Sequence, residues 1–234
     1  MKSLPLLACL ALIAPVRAAE LMPAFKAGDV VVFQGDSITD GGRARSGNDY
    51  NHTMGQDYVY IISARLSALL PERHLTFLNR GIGGNKLSDL AGRWKQDTLD
   101  LKPDILSILV GINDNGAHVP MAAFEQTYDK VLAETVAALP KVRLILCTPF
   151  TLSVGKYKDN FAPWDAEVKE RAKIVEKLAA KYHAAVVRLQ PLLDEACKKT
   201  PADYWLWDGI HPNYAGHALL SEEWIRVVNA AYGK

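Results

Sequence analysis

A serine, a histidine and an aspartate carry most of the chemistry this chain can do. Asp208 and His211 stand three positions apart in Trp207-Asp208-Gly209-Ile210-His211-Pro212. On a helical turn, residues so spaced face the same side, so a carboxylate and an imidazole can share one target. Histidine is the natural base near neutral pH. A carboxylate beside it orients the ring and stabilises the imidazolium formed when it takes a proton. Such a pair activates a hydroxyl, which is a poor nucleophile until a base removes its proton.

Ser37 is the candidate hydroxyl. It directly follows Val30-Val31-Val32-Phe33-Gln34-Gly35-Asp36, where an apolar run ends and Gly35 allows a sharp turn. The hydroxyl then falls at the head of the next helix, where free amides and the dipole favour developing negative charge. Asp36 is expected to organise this turn rather than to react. The pattern is not the G-x-S-x-G elbow, because position 39 is Thr39. Acyl transfer also needs donors for an oxyanion. The Ser37 amide is one, the backbone N–H of Gly84 a second, and the side chain of Asn113 a third.

These residues must be positioned by a frame. Five apolar runs, Val30–Phe33, Leu75–Leu78, Ile105–Val110, Val142–Cys147 and Ala185–Leu189, alternate with longer amphipathic stretches. They are continuous rather than alternating, the pattern of strands buried on both faces. Phe124, Tyr128, Val131, Thr135 and Leu139 recur at helical steps, as do Val168, Ala172, Val175, Ala179 and Tyr182. A last helix opens near Asn213-Tyr214 and carries Leu220, Trp224 and Val228. Strand–helix alternation predicts an α/β fold, a three-layer α/β/α sandwich around a five-stranded parallel sheet. Ligands of such sheets bind beyond the carboxyl ends of the strands. The loops there are polar or glycine-rich and hold every residue singled out above.

Four segments then occur in order: Gly35-Asp36-Ser37-Ile38-Thr39-Asp40, Asn79-Arg80-Gly81-Ile82-Gly83-Gly84-Asn85, Gly111-Ile112-Asn113-Asp114 and Asp208-Gly209-Ile210-His211-Pro212. They resemble the four blocks of the GDSL/SGNH hydrolase family, over the chain from about residue 29 to its end. The second block departs from the family in having Gly83 where serine is common. The resemblance implies Ser37 as nucleophile, Gly84 and Asn113 as oxyanion donors beside the Ser37 amide, His211 as base oriented by Asp208, a flavodoxin-like sheet, and neither metal nor cofactor. Asp40 through Arg45, Leu87 through Trp94, and Trp207 before Asp208 are similar to the branch containing bacterial acetylxylan esterases. That similarity implies removal of acetyl groups from xylan-derived sugars. A lysophospholipase- or thioesterase-type hydrolase and a catalytically silent carbohydrate-binding protein remain the alternatives.

Other residues compete for attention. Asp49-Tyr50-Asn51-His52 repeats the Asp-x-x-His spacing, in a polar stretch that reads as a loop beside the pocket. Trp205 and Trp207 flank the candidate catalytic turn, where indoles can stack on a sugar or stiffen the loop. Arg43 and Arg45, close after Ser37, can contact substrate or stand as solvated loop charges. Asp114 and His118 lack the third ligand a metal site requires. His74, His183 and His217 read as surface or helix-face residues. Gly81-Ile82-Gly83 is not a dinucleotide fingerprint, because Lys86 occupies the third glycine position, and no phosphate-binding Gly-Lys-Ser/Thr occurs.

Composition bounds the rest. The 234 residues carry a formal net charge of +1, with 49% hydrophobic and 23% charged. No basic stripe is available for nucleic acid. Lys2 precedes an apolar run from Leu4 to Val16, and Val16-Arg17-Ala18 supplies small residues for cleavage. Residues 1–18 therefore read as a signal peptide, which predicts a secreted or periplasmic protein with one hydrolase domain over 19–234. The run is shorter than the ~20 residues of a membrane span, so stable membrane insertion is not expected. Cys147 and Cys197 can pair after export but form no disulfide framework. The expected partner is a small-molecule or oligosaccharide ester, and a homo-oligomer stays open.

Overall fold

The structure is a computed structural model that describes residues 22–233. The expected leader, residues 1–18, lies outside the described residues. Among the described residues, no helix is long and apolar enough to cross a membrane.

Five parallel strands form one sheet: β1 (Val30–Gly35), β2 (Thr76–Asn79), β3 (Ile105–Leu109), β4 (Arg143–Cys147) and β5 (Ala185–Val187), ordered β2-β1-β3-β4-β5. This is the flavodoxin-like order, whose reversal between β1 and β3 opens a crevice at the strand ends. Ten α-helices among the described residues accompany the sheet: α1 (Ser37–Asp40), α2 (Tyr50–Met54), α3 (Tyr58–Leu69), α4 (Leu87–Gly92), α5 (Trp94–Asp97), α6 (Ile112–Gly116), α7 (Met121–Ala138), α8 (Phe161–Lys181), α9 (Leu189–Ala196) and α10 (Tyr214–Tyr232).

The absence of alternation in the strands now has a physical reason. Val31 and Phe33 enter one core with Ile62 and Leu66 of α3 and Leu220, Trp224 and Val228 of α10. Val32 enters the opposite core with Phe124, Tyr128 and Val131 of α7 and Val175 and Leu178 of α8. Both faces of each central strand are covered, so both sets of side chains are apolar. The one polar residue inside β3, Ser107, accepts the indole N–H of Trp224 at 2.9 Å, which satisfies two buried polar groups at once.

Two details depart from the sequence reading. The run Ala185–Leu189 splits, because β5 ends at Val187 and Leu189 already opens α9. Cys147 is buried and Cys197 partly so, and both are free thiols. The apolar wall around Cys147 pushes its thiol up to about 12, so it packs as a small hydrophobe rather than reacting.

Candidate active site

The serine turn is built at the end of β1. Asp36 caps α1, its carboxylate accepting the Ile38 amide at 3.0 Å. Burial pushes that carboxyl up to about 7, while the bond from Ile38 pulls it the other way. Gly35 is required for room and not for an unusual dihedral. A Cβ there would stand 2.2 Å from Thr39 Oγ1 and 2.5 Å from the Leu109 carbonyl oxygen. The turn is thus pressed against β3, and Ser37 opens α1 half-exposed.

The structure brings His211 to it across 174 positions. Ser37 Oγ lies 2.8 Å from His211 Nε2, and His211 Nδ1 lies 2.8 Å from Asp208 Oδ2. This network assigns the ring proton to Nδ1 and leaves Nε2 to accept from the hydroxyl. Asp208 Oδ1 accepts the amides of Ile210 at 3.1 Å and His211 at 2.8 Å. Burial acts to raise the Asp208 pKa, but these bonds outweigh it and hold the carboxyl below its usual range.

The helical turn expected over 208–211 is absent. The segment is a bend in which Gly209 has φ +100° and the Asp208 side chain, not the main chain, takes the local amides. Carboxylate and ring meet because the carboxylate folds back over its own turn. The loop after β4 holds that turn from outside. Thr151 Oγ1 donates to the Gly209 carbonyl at 3.0 Å, and the Trp164 indole N–H donates to Thr151 Oγ1 at 3.1 Å. A Cβ on Gly155 would meet the Asp208 Cα at 2.6 Å, so the two loops pack backbone to backbone.

Gly84 has φ +79°, in the region that favours glycine. Its neighbour Gly83 donates its amide to Asp40 Oδ2 at 2.7 Å, and a Cβ on Gly83 would lie 3.9 Å from Ser37 Cβ. The glycine loop therefore runs beside the serine, and the residue at 83 that departs from the family pattern is the one facing it. Asn113 donates one amide hydrogen to the Asn85 carbonyl at 3.1 Å, which leaves the other for a substrate oxygen. Asp114 accepts the Leu87 amide with both oxygens, at 3.2 and 3.1 Å. Adjacent residues on α6 thus hold the loop that carries Gly84 at two points, so the two candidate donors are braced against each other.

The remaining candidates separate. Arg43 Nε and Arg45 NH1 both donate to the Gly81 carbonyl, at 3.0 and 2.8 Å, and Arg45 NH2 bonds Asp40 Oδ2 at 2.6 Å. Their guanidinium groups support the glycine loop from below. His52 is 76% exposed and bonds Asp49 Oδ2 at 2.6 Å, a pair on the surface of α2. Trp207 is exposed and lies flat on the His211 ring, centroids 5.7 Å apart and 17° between planes. Trp205 turns inward and packs edge-on against Tyr204. His118 is exposed while Asp114 is committed to Leu87, so the two do not share a ligand. His74 and His183 are exposed, as expected, and His217 lies on a face of α10, the other half of that expectation. It is partly buried and accepts the Tyr58 amide at Nδ1.

Sequence reasoning missed the groups that hold the site together. Asn79 Nδ2 reaches the Thr39 carbonyl at 2.5 Å, the Met54 carbonyl at 2.8 Å and Asp57 Oδ2 at 3.3 Å, while its Oδ1 accepts the Gly81 amide at 2.9 Å. Asp57 caps α3, accepting the Val59 and Tyr60 amides, and burial pushes it up to about 8. The one available signal was an asparagine and an aspartate set among apolar residues, where an unpaired polar group would be costly.

A model described as the GDSL-like lipase/acylhydrolase family matches residues 33–219. An acetylxylan esterase of Geobacillus stearothermophilus is 33% identical over 213 residues, which span 86% of this chain and 94% of that protein. A crystal structure of an acetylxylan esterase from the same organism superposes with a TM-score of 0.78 at 31% identity, covering 88% of this chain and 96% of the other. An α/β hydrolase enzyme from the metagenome of Lake Arreo, Spain, gives 0.79 at 31% identity, over 89% and 98%.

Proposed function

The chain belongs to the GDSL-like lipase/acylhydrolase family and is a carboxylic ester hydrolase, and from that premise we propose that it is a secreted esterase that removes acetyl groups from carbohydrate esters. The observation that carries the mechanism is the continuous hydrogen-bonded line from Ser37 Oγ through both nitrogens of His211 to Asp208.

Ser37 Oγ attacks the ester carbonyl carbon as its proton passes to His211 Nε2. The carbonyl oxygen, now negative, takes hydrogen bonds from the Ser37 and Gly84 amides and the Asn113 side chain. His211 then gives its proton to the departing sugar oxygen, leaving an acetyl group on Ser37. Water enters, loses a proton to His211, and attacks the acyl-enzyme. Collapse returns the proton to Ser37 and releases acetic acid.

Two observations support the sugar as leaving group. The relatives that cover nearly the whole chain include proteins named acetylxylan esterase. Trp207 presents an exposed indole face beside His211, where the leaving group departs, and a flat aromatic surface suits the C–H face of a sugar ring. The pattern of residues 1–18, Lys2 then the apolar run from Leu4 to Val16 and small residues before Ala19, supports secretion.

Acetate release by the purified protein is the test, measured across acetylated xylo-oligosaccharides, other acetylated sugars and an octanoyl lipid ester. Turnover of the sugars well above the lipid ester is expected; the reverse order would identify a lipolytic enzyme. Sugar binding without any ester cleavage would identify a silent binding protein. Within the same assay, Asn113→Ala is expected to lower kcat by about a hundredfold or more. The loss combines the missing donor with the missing bond to the Asn85 carbonyl; an unchanged rate removes Asn113 from the oxyanion site.

A further inference from the structure

The Ser37–His211 bond joins two parts of the chain that have no covalent reason to meet. One is the turn at the end of β1, the other the return loop before α10. Their separation decides whether the hydroxyl sits 2.8 Å from the ring, as it does, or too far for proton transfer.

Tyr58 touches both sides. Its hydroxyl lies 3.0 Å from Thr39 Oγ1, within α1 and two residues beyond Ser37. Its amide, at the first position of α3, donates to His217 Nδ1 at 3.2 Å. His217 in turn belongs to the first turn of α10, where its own amide donates to the Asn213 carbonyl at 2.9 Å. The Asn213 amide donates to the Trp205 carbonyl at 3.0 Å, and the Trp207 amide to the His211 carbonyl at 3.1 Å. Gly216 packs into the same corner, since a Cβ there would stand 2.3 Å from the Trp205 carbonyl oxygen and 2.8 Å from Pro212 Cβ.

The first turn of α3 shows that this arrangement is specific. A helix start leaves its first amides without partners inside the helix. Asp57 takes those of Val59 and Tyr60, at 2.8 and 3.0 Å. That of Tyr58 would remain, and a histidine 159 positions away supplies the acceptor. An acceptor at Nδ1 requires the proton on Nε2, so only the uncharged ring serves. Burial first, and the charge of His211 second, push His217 down to about 4, which keeps it uncharged at neutral pH.

The geometry points to His217 and Tyr58 as positioning residues that together form a strap, Thr39–Tyr58–His217, setting the distance between the Ser37 hydroxyl and the His211 ring. Neither touches the reacting atoms. Their effect passes through the placement of α1 on one side and of the return loop on the other. The inference rests on Ser37 and His211 being the acting pair.

Four variants test it: His217→Leu, His217→Asn, Tyr58→Phe, and the double variant His217→Leu/Tyr58→Phe. Each is assayed on a small acetyl ester, with turnover expressed per serine titrated by an organophosphate, so that unfolded protein does not count. Leucine keeps bulk without an acceptor, asparagine restores an oxygen at the place of Nδ1, and phenylalanine removes only the hydroxyl. His217→Leu and Tyr58→Phe are each expected to lower kcat by about tenfold to a hundredfold with KM nearly unchanged, as a displaced base does. His217→Asn should recover most of kcat. The double variant should be no worse than the poorer single one, since two cuts in one strap are not independent.

Wild-type turnover per titrated serine in His217→Leu and Tyr58→Phe overturns the strap. So does His217→Asn being as poor as His217→Leu, or losses that multiply in the double variant. Failure of the organophosphate to label Ser37 in the wild type would instead strike the assignment of the pair itself.

Discussion

Alanine at position 37 is expected to lower kcat by about a millionfold while leaving the fold in place. The large effect follows from chemistry: without Oγ there is no atom to carry the acyl group, and the polarised His211 ring has nothing to deprotonate except water. The small structural effect follows from packing. Ser37 is half-exposed, and its side chain bonds only His211. Asp36, not Ser37, caps α1, so the helix start keeps its acceptor. A change in stability within about 0.5 kcal/mol is expected, as for substitutions away from core or cap. Acetate release and thermal unfolding of the same preparation check both halves. Residual turnover at more than about one part in a hundred would remove Ser37 as the nucleophile, since donors and binding alone leave far less.

The second large effect separates two histidines of identical local spacing. His211→Ala should lower kcat about as far as the loss of the serine, because base and nucleophile act as one unit. His52→Ala should leave kcat within about threefold, as a substitution outside the reacting unit does. His211 points one nitrogen at a hydroxyl and the other at a carboxylate that is itself held by two amides. His52 bonds a carboxylate just as closely, but both partners are largely exposed. Solvent screens that pair, and among the described residues no hydroxyl bonds its second nitrogen. In His211→Ala the Asp208 carboxylate still accepts the amides of residues 210 and 211, so the loop survives and the loss reads the missing imidazole. Measuring kcat/KM for both variants at neutral pH decides the matter, and a greater loss in His52→Ala would reverse the assignment.

The sheet was legible because burial on both faces writes itself into composition. A run such as β3, Ile-Leu-Ser-Ile-Leu, is too short for a buried helix and is bounded by Pro103 and Gly111, which favours a strand. The helices α7 and α8 were legible because each exposes one side and so keeps a period. The residues of the candidate site were legible because four strand-end loops carry polar or glycine-rich motifs in order. What stayed hidden depends on chain segments meeting through space. Nothing near Asn79 in sequence indicates that it will tie the serine turn to α2, and nothing near His217 indicates an amide of α3. The spacing of Asp208 and His211 picked out two side chains that do bond each other, but not through a helical turn, because a side chain that caps its own turn imitates the reach of a helix. Gly35 suggests in sequence a residue that lets the chain turn sharply; its hydrogen is needed because Thr39 and Leu109 leave no room for a methyl.

The buried carboxyl groups of Asp36 and Asp57 alter the electrical account of the whole molecule. The formal charge of +1 counts every carboxyl as ionised. With Asp57 raised to about 8 and Asp36 to about 7, the native state holds protons that the unfolded chain has released above the ordinary carboxyl range near 3.8. Folding at neutral pH therefore takes up hydrogen ions through these groups, and His217, lowered to about 4, returns only part of them. The contribution of Asp36 and Asp57 to stability is full below about 4 and is lost progressively as pH rises from there through 7 and 8, whereas that of His217 runs the other way, growing as pH rises from about 4 to its ordinary 6.5. Through these three groups the native protein at neutrality holds more positive charge than its denatured form, so unfolding is expected to release protons from them.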